Sequence, residues 1–263
     1  MSHVISQDGT VIAYERSGTG PTVILVGGAL GGRFGPELPT RLAPRFSVYR
    51  YDRRGRGGSG DTAPYAVERE VEDIDALITD AGGSARVYGI SSGAVLALEA
   101  ASRMPGRVTM LALYEPPFIV DSSRPPLPDD YVTHLDALIA AERRSDAVEY
   151  CMTAAMGIPE EYLAGMRGTP MWAGMEALAH TIAYDGRVMG DTMSGKPLPA
   201  NAWATVTMPT LVITGDETEP FFVAGADALS TLLPDTRRKT LTGQGHNVEA
   251  DALAPVLAEF FAG

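Results

Sequence analysis

The stretch "YGISSGAVLAL", Tyr88 to Leu98, decides how the rest of the chain is read. Ser91 stands between Gly89 and Gly93 in a G-x-S-x-G pattern. The pattern is short, so its surroundings must say whether Ser91 is reactive or merely a small residue in a glycine turn. The β-branched and aromatic run "ARVYGI" precedes it and predicts a strand. "SGAVLALEAASRMP" follows and predicts a helix that stops before Pro105. A strand that turns sharply into a helix lifts the intervening serine above the sheet edge. It needs small neighbours because the backbones approach closely there. The helix N-terminus behind the serine favours developing negative charge.

A serine hydroxyl is a weak nucleophile without a base, and the base needs an acid to orient it. The chain has four histidines. His3 is near the start, and His134 and His180 lie in a region without strand signals. His246, in "TGQGHNVEADALAPVLAEFF", follows the last predicted strand and precedes the last helix. It is therefore the base candidate in the chain order nucleophile, acid, histidine. Two backbone N–H groups would have to receive a developing oxyanion. Ser92 supplies one. The loop "GGALGG" after the strand "TVILV" supplies the other, with Ala29 as the donor.

Outward from this turn, "FSVYRYD", "VTMLALYEP", "PTLVITG" and "TRRKTL" also read as strands. "AVEREVEDIDALITDAGG" places Val67, Val71, Ile74, Leu77 and Ile78 on one helical face with acids opposite. "FFVAGADALSTLLP" and "DALAPVLAEFFAG" read as helices. Strands alternating with helices predict an α/β fold with a mostly parallel sheet covered on both faces. From about Pro117 to Trp203 the strand signal disappears. A proline-rich linker leads into short helices, with Asp146 and Pro159 in first-turn positions. We read residues 1–116 and 206–263 as a core domain and 117–205 as a helical cap inserted in it. Met152, Met156, Met166, Met171, Met175 and Met189 fall in that insertion. They pack its helices together, and some of them line an adaptable apolar pocket.

At 263 residues and 45% hydrophobic composition, the chain can bury a large core. A formal net charge of −12 argues against nucleic acid as a partner. The single cysteine, Cys151, excludes an internal disulfide and reads as a small buried helix residue. No apolar run has the length of a signal peptide or a membrane span, so a cytoplasmic protein is expected. "GRGGSG", Gly55 to Gly60, matches a dinucleotide fingerprint, but "DTAP" follows where a helix should open. Arg53, Arg54 and Arg56 beside it read as structural cations pairing Asp52 or nearby carboxylates. No Cys/His cluster has zinc spacing. We expect no cofactor and no metal, a small-molecule substrate, and a monomer or homodimer.

These segments together resemble the α/β-hydrolase family along nearly the whole chain. "LVGGAL" stands where the family usually has His-Gly. "YDRRGRGGSG" matches its D-x-R-G-x-G-x-S loop, "GISSGA" its nucleophile elbow, "PTLVITGD" its seventh strand and "GQGH" its histidine loop. Capped esterases, lactonases and C–C-bond hydrolases are the nearest likeness. The resemblance implies an eight-stranded, mostly parallel sheet and a Ser–His–acid triad. Two departures surround the site: Gly27 and Ile90 replace common histidines. A third concerns the acid. Its usual position, three residues after Gly215, is Thr218, which carries no charge to stabilise an imidazolium. Asp216, Glu219 and Glu115 are the replacements in reach. Glu115, which ends "VTMLALYE", is favoured, because some family members place the acid at that strand tip and Pro116 and Pro117 would stiffen its turn. Asp216 is its rival. The implied activity is hydrolysis of an ester or lactone. Acyl transfer, lactonisation and C–C hydrolysis remain open, as does a small-molecule-binding protein on the same fold.

Overall fold

The computed structural model describes all 263 residues, 1–263. Eight strands form one sheet: β1 (Ser2–Ile5), β2 (Val11–Ser17), β3 (Thr22–Val26), β4 (Ser47–Tyr51), β5 (Ala85–Ile90), β6 (Val108–Tyr114), β7 (Thr210–Gly215) and β8 (Thr236–Leu241). Their spatial order is β1-β2-β4-β3-β5-β6-β7-β8. The β1/β2 and β2/β4 pairs are antiparallel. Every pair from β4 to β8 is parallel. The antiparallel β1/β2 pair is an addition to the strands that the hydrophobic runs predict.

The ten α-helices are α1 (Glu37–Leu42), α2 (Val67–Asp80), α3 (Ser92–Arg103), α4 (Tyr131–Ala140), α5 (Arg144–Tyr150), α6 (Glu160–Leu163), α7 (Pro170–Leu178), α8 (Ile182–Met189), α9 (Pro220–Leu232) and α10 (Ala250–Phe260). Parallel strands need crossovers, and α1, α2, α3 and α9 supply them, α1 on one face and the other three on the opposite face. The sheet therefore divides the core. On one side Ile24, Val87, Leu111 and Val212 pack with α2, α3 and α9. On the other, Val23, Leu25, Tyr88 and Ile213 pack with α1 and α10. Each central strand thus buries both faces, and truncating a residue such as the fully buried Leu25 to alanine costs about 2–5 kcal/mol. The β8 edge carries Arg237, Arg238 and Lys239, charges that discourage pairing with another chain.

The acids of α2 are not all on a solvent face. Glu70 and Asp73 are buried, at 1% exposure each, beside the apolar stripe of Val71, Ile74, Leu77 and Ile78. They are there because Arg53 and Arg54, on the loop after β4, are buried against them. Asp52 is not a partner of these arginines. Its carboxylate accepts the Gly58 N–H at 2.9 Å and lies 3.6 Å from Arg33.

Between β6 and β7 the chain forms α4 to α8. They enclose their own apolar cluster, in which Leu135, Val148, Trp172 and Ile182 are buried. A π-helical turn, Cys151–Ala155, continues α5. The ends of this segment join the main core: Phe118, Ile119, Val188 and Trp203 pack in the cluster built on the sheet. No helix is long and apolar enough to cross a membrane.

Candidate active site

The parallel strands end on one side of the sheet, and the candidate residues sit just beyond those ends. Ser91 follows β5 and caps α3 with φ 56° and ψ −132°. Non-glycine residues rarely adopt this conformation, and the surrounding structure must hold it. Two contacts do so. The Ser91 N–H donates to Tyr114 O at 2.9 Å. Gly93 packs so closely on β3 that an added Cβ would lie 2.4 Å from Gly27 O. Only glycine fits there, which explains the second glycine of the G-x-S-x-G pattern.

Glu115 follows β6, with φ 46° and no solvent exposure. Its N–H continues the ladder to Ile213 O at 3.0 Å. Its Oε1 accepts the Gly215 N–H at 2.8 Å, and its Oε2 lies 2.8 Å from His246 Nδ1. The ring of His246 stacks on Phe222 of α9, with centroids 4.5 Å apart and an interplanar angle of 19°. Its loop is pinned by Tyr114, whose hydroxyl donates to Gly245 O at 2.6 Å. Gly215 passes so near that loop that an added Cβ would meet Gln244 O at 1.8 Å.

The other carboxylates have different partners. Asp216 is exposed and accepts the Gly243 N–H at 2.7 Å, which closes its own loop. Glu219 precedes α9 and lies 3.8 Å from Arg124. Thr218 Oγ1 is buried with no partner. Of the candidate acids, the structure therefore places Glu115 alone on His246.

Ser91 and His246 line one cavity of about 460 Å³, together with Ala29 and Ser92. Neither the Ala29 N–H nor the Ser92 N–H donates to another group of the chain. Ser91 Oγ likewise has no partner. Nucleophile and base often come within hydrogen-bond distance only when substrate is bound. The rest of the lining is mostly apolar and includes Tyr131, Ile158, Ile182 and Phe221. Among the methionines named from sequence, Met156 and Met189 line the cavity. Met152 is buried in the helical cluster, Met166 and Met175 pack against it, and Met171 is exposed. Cys151 also lines the cavity, and burial pushes its thiol up to about 12.

The remaining histidines lie elsewhere. His3 is on β1, His134 packs edge-on against Tyr150, and His180 Nε2 is 2.9 Å from Gly55 O.

Sequence reasoning missed Asp185 of α8. It is buried and faces three donors: Arg53 at 2.6 Å, Arg56 at 2.6 Å and Ser92 Oγ at 2.7 Å. Burial alone would raise its pKa, but Arg53 and Arg56 outweigh that and hold it below the usual carboxylate range. The available signal was a lone acid in "HTIAYDGRVM" together with three arginines in need of partners. In the sequence Phe222 reads only as a helix residue, and nothing local marks it as a support for His246.

The alpha/beta hydrolase family model matches residues 23–259. The chain belongs to the alpha/beta hydrolase family. Its structure is similar to an alpha/beta hydrolase from Sphaerobacter thermophilus DSM 20745, at 53% identity and a TM-score of 0.90, covering 99% of this chain and 100% of that one. It shares the fold of an enol-lactonase from Burkholderia xenovorans LB400, at 21% identity and a TM-score of 0.71, with both chains fully covered. Over 182 residues it is 30% identical to a pimeloyl-[acyl-carrier protein] methyl ester esterase from Methylococcus capsulatus, covering 63% of this chain and 70% of that protein. The chain spans 42% and 12% of the length of two other curated relatives that it matches. Against the family's usual pattern, Gly27 leaves no side chain before the oxyanion loop, and Arg53 Nη1 reaches Gly27 O at 3.3 Å instead.

Proposed function

We propose that this family member is a serine hydrolase that cleaves a carboxylic ester or lactone through an acyl-enzyme on Ser91. The observation that carries this reading is the pair of Glu115 and His246, 2.8 Å apart, at a cavity that Ser91 also lines. A buried carboxylate on Nδ1 holds the imidazole in the tautomer whose Nε2 can accept a proton, and it stabilises the imidazolium that results.

The steps follow from that arrangement. Ser91 Oγ bonds to the substrate carbonyl carbon as His246 Nε2 takes its proton. The Ala29 and Ser92 N–H groups receive the oxyanion. The tetrahedral adduct expels the alcohol oxygen, which takes the proton from His246. Water, deprotonated by His246, then attacks the acyl carbon, and Ser91 leaves with the proton. The apolar lining and a volume of about 460 Å³ suit a small-to-medium apolar acyl or ring compound. The methyl ester named for the Methylococcus capsulatus relative supports the ester class. We read residues 117–205 as the cap that closes the cavity. The chain carries a single buried thiol, and a reducing cytoplasmic setting suits it.

The test is intact mass after exposure to a fluorophosphonate, wild type against Ser91→Ala. One adduct on the wild type alone, with turnover of p-nitrophenyl esters or simple lactones, is the expected result. A folded wild type that takes up no label refutes the reading and favours a binding protein on the same fold.

A further inference from the structure

The loop that carries Ala29 is glycine on both sides, "GGALGG", and glycine peptides rotate easily. Its catalytic use requires the Ala29 N–H to face the cavity. That N–H belongs to the same peptide unit as the Gly28 carbonyl. A planar trans peptide points its C=O and N–H in opposite directions. Whatever holds Gly28 O therefore aims the Ala29 N–H.

Arg56 holds it. Arg56 Nη1 donates to Gly28 O at 2.6 Å and to Gly31 O at 3.0 Å, bracketing Ala29 and Leu30 from one side. Arg56 is 2% exposed, and because a guanidinium keeps its charge when buried, its burial needs a carboxylate beside it. Asp185 is that carboxylate. It accepts Arg56 Nη2 at 2.6 Å, from a position 129 residues away in α8. The same carboxylate accepts the Ser92 hydroxyl at 2.7 Å, at the first residue of α3. Arg53 ties Asp185 to Glu70 of α2, so two buried cations meet two buried anions.

We propose that Asp185 is a positioning residue for the oxyanion hole: through Arg56 it sets the Gly28–Ala29 peptide, and through Ser92 Oγ it steadies the start of α3. Both donor N–H groups are then aligned by one carboxylate from the segment between β6 and β7. The inference rests on the oxyanion role given to Ala29 and Ser92 in the proposed function. Asp185 lines the cavity, but both of its carboxylate oxygens are engaged by Arg53, Arg56 and Ser92 Oγ. Its effect is on how well the donors are aimed.

The variants are Asp185→Asn and the charge-balanced double variant Asp185→Asn/Arg56→Gln, which removes one buried charge of each sign should the single variant fail to fold. Two readouts are taken on each folded protein: kcat and KM for p-nitrophenyl butyrate, and the backbone ¹⁵N order parameters of Ala29 and Gly31. The expected result is a kcat about 100-fold lower with KM within about threefold, because donors misaimed by an ångström act mainly on the transition state. The Ala29 order parameter is expected to fall from about 0.85 toward 0.6. Arg56→Lys should recover less than full activity, since one ammonium cannot hold two carbonyls and a carboxylate in a fixed fork. A folded variant with kcat within twofold of wild type, or with Ala29 as rigid as in wild type, overturns the proposal. If the wild type hydrolyses no ester, the proposed function fails separately, and the order parameters alone decide whether Asp185 sets the loop.

Discussion

Glu115 and His246 are 131 positions apart in the chain and 2.8 Å apart in the folded protein. They meet because β6 and the loop after β8 flank the same strand. β7 lies between β6 and β8, and its final residue, Gly215, donates its N–H to Glu115 and has no side chain to block the histidine loop.

This contact separates the two favoured acids experimentally. Glu115→Gln keeps the shape and removes the charge, and kcat is expected to fall by about 10⁴. Asp216→Asn alters an exposed turn residue, and kcat is expected to stay within about twofold. Steady-state kinetics on one activated ester checks both. The opposite ranking would remove Glu115 from the mechanism.

The backbone of Ser91 offers a stability test that needs no substrate. With φ 56° and ψ −132°, any residue with a Cβ is strained there. Ser91→Gly is expected to be more stable than Ser91→Ala by about 1 kcal/mol, despite the greater freedom of glycine in the unfolded chain. Thermal melts should show this as a Tm about 2–4 °C higher. Equal melting points would mean that the turn carries no strain.

Cys151 lines the cavity yet should not react as a thiol. Burial raises its pKa to about 12, and Asp185 adds to the rise while the neighbouring Tyr131 hydroxyl opposes it. At pH 8 almost no thiolate exists in the folded protein. Alkylation by iodoacetamide is expected to be about 10³-fold slower than in the unfolded chain. Mass spectrometry over a time course gives the ratio, and labelling of the native protein at the unfolded rate would contradict it.

Asp8 gives a pH signature. Burial would raise its pKa, but hydrogen bonds from Thr10 and the Arg54 guanidinium bring it down from 3.8 to about 2. The folded value is the lower one, so the unfolded chain binds more protons in between. Its stabilisation is full above about pH 4 and is lost as the pH falls through about 2. Asp8→Asn is expected to melt below wild type at pH 7, with the gap closing on acidification. A gap that stays constant from pH 7 to pH 2 would rule out this role.

Much of this architecture is legible locally. The strands β3 to β7 are short runs rich in β-branched and aromatic residues and largely buried on both faces, and such runs stand out from their flanks. The β1/β2 pair does not, because "SHVI" and "VIAYERS" mix polar and apolar residues at a sheet edge with one face toward solvent. In the site, Ser91 and His246 are legible through the segments around them. The partners of Arg53, Arg54 and Arg56 are not, since Asp185 lies 129 positions beyond Arg56 and no periodicity links them. For the same reason the acids of α2 look solvent-facing in sequence. A helical acid and a helical surface charge have identical spacing until a buried arginine meets one of them.

The shared carboxylate between α8 and the loop after β4 bears on how such enzymes can be recombined. Segments inserted between the sixth and seventh strands look interchangeable, because both joins are loops. Here a transplanted segment without an acid at the place of Asp185 would leave two guanidinium groups in the interior facing a single carboxylate, Glu70. Chimeras made by exchanging residues 117–205 alone should therefore inherit a defect in the scaffold as well as a new specificity. Viable ones would carry Arg53, Arg56 and Asp185 across as a linked set.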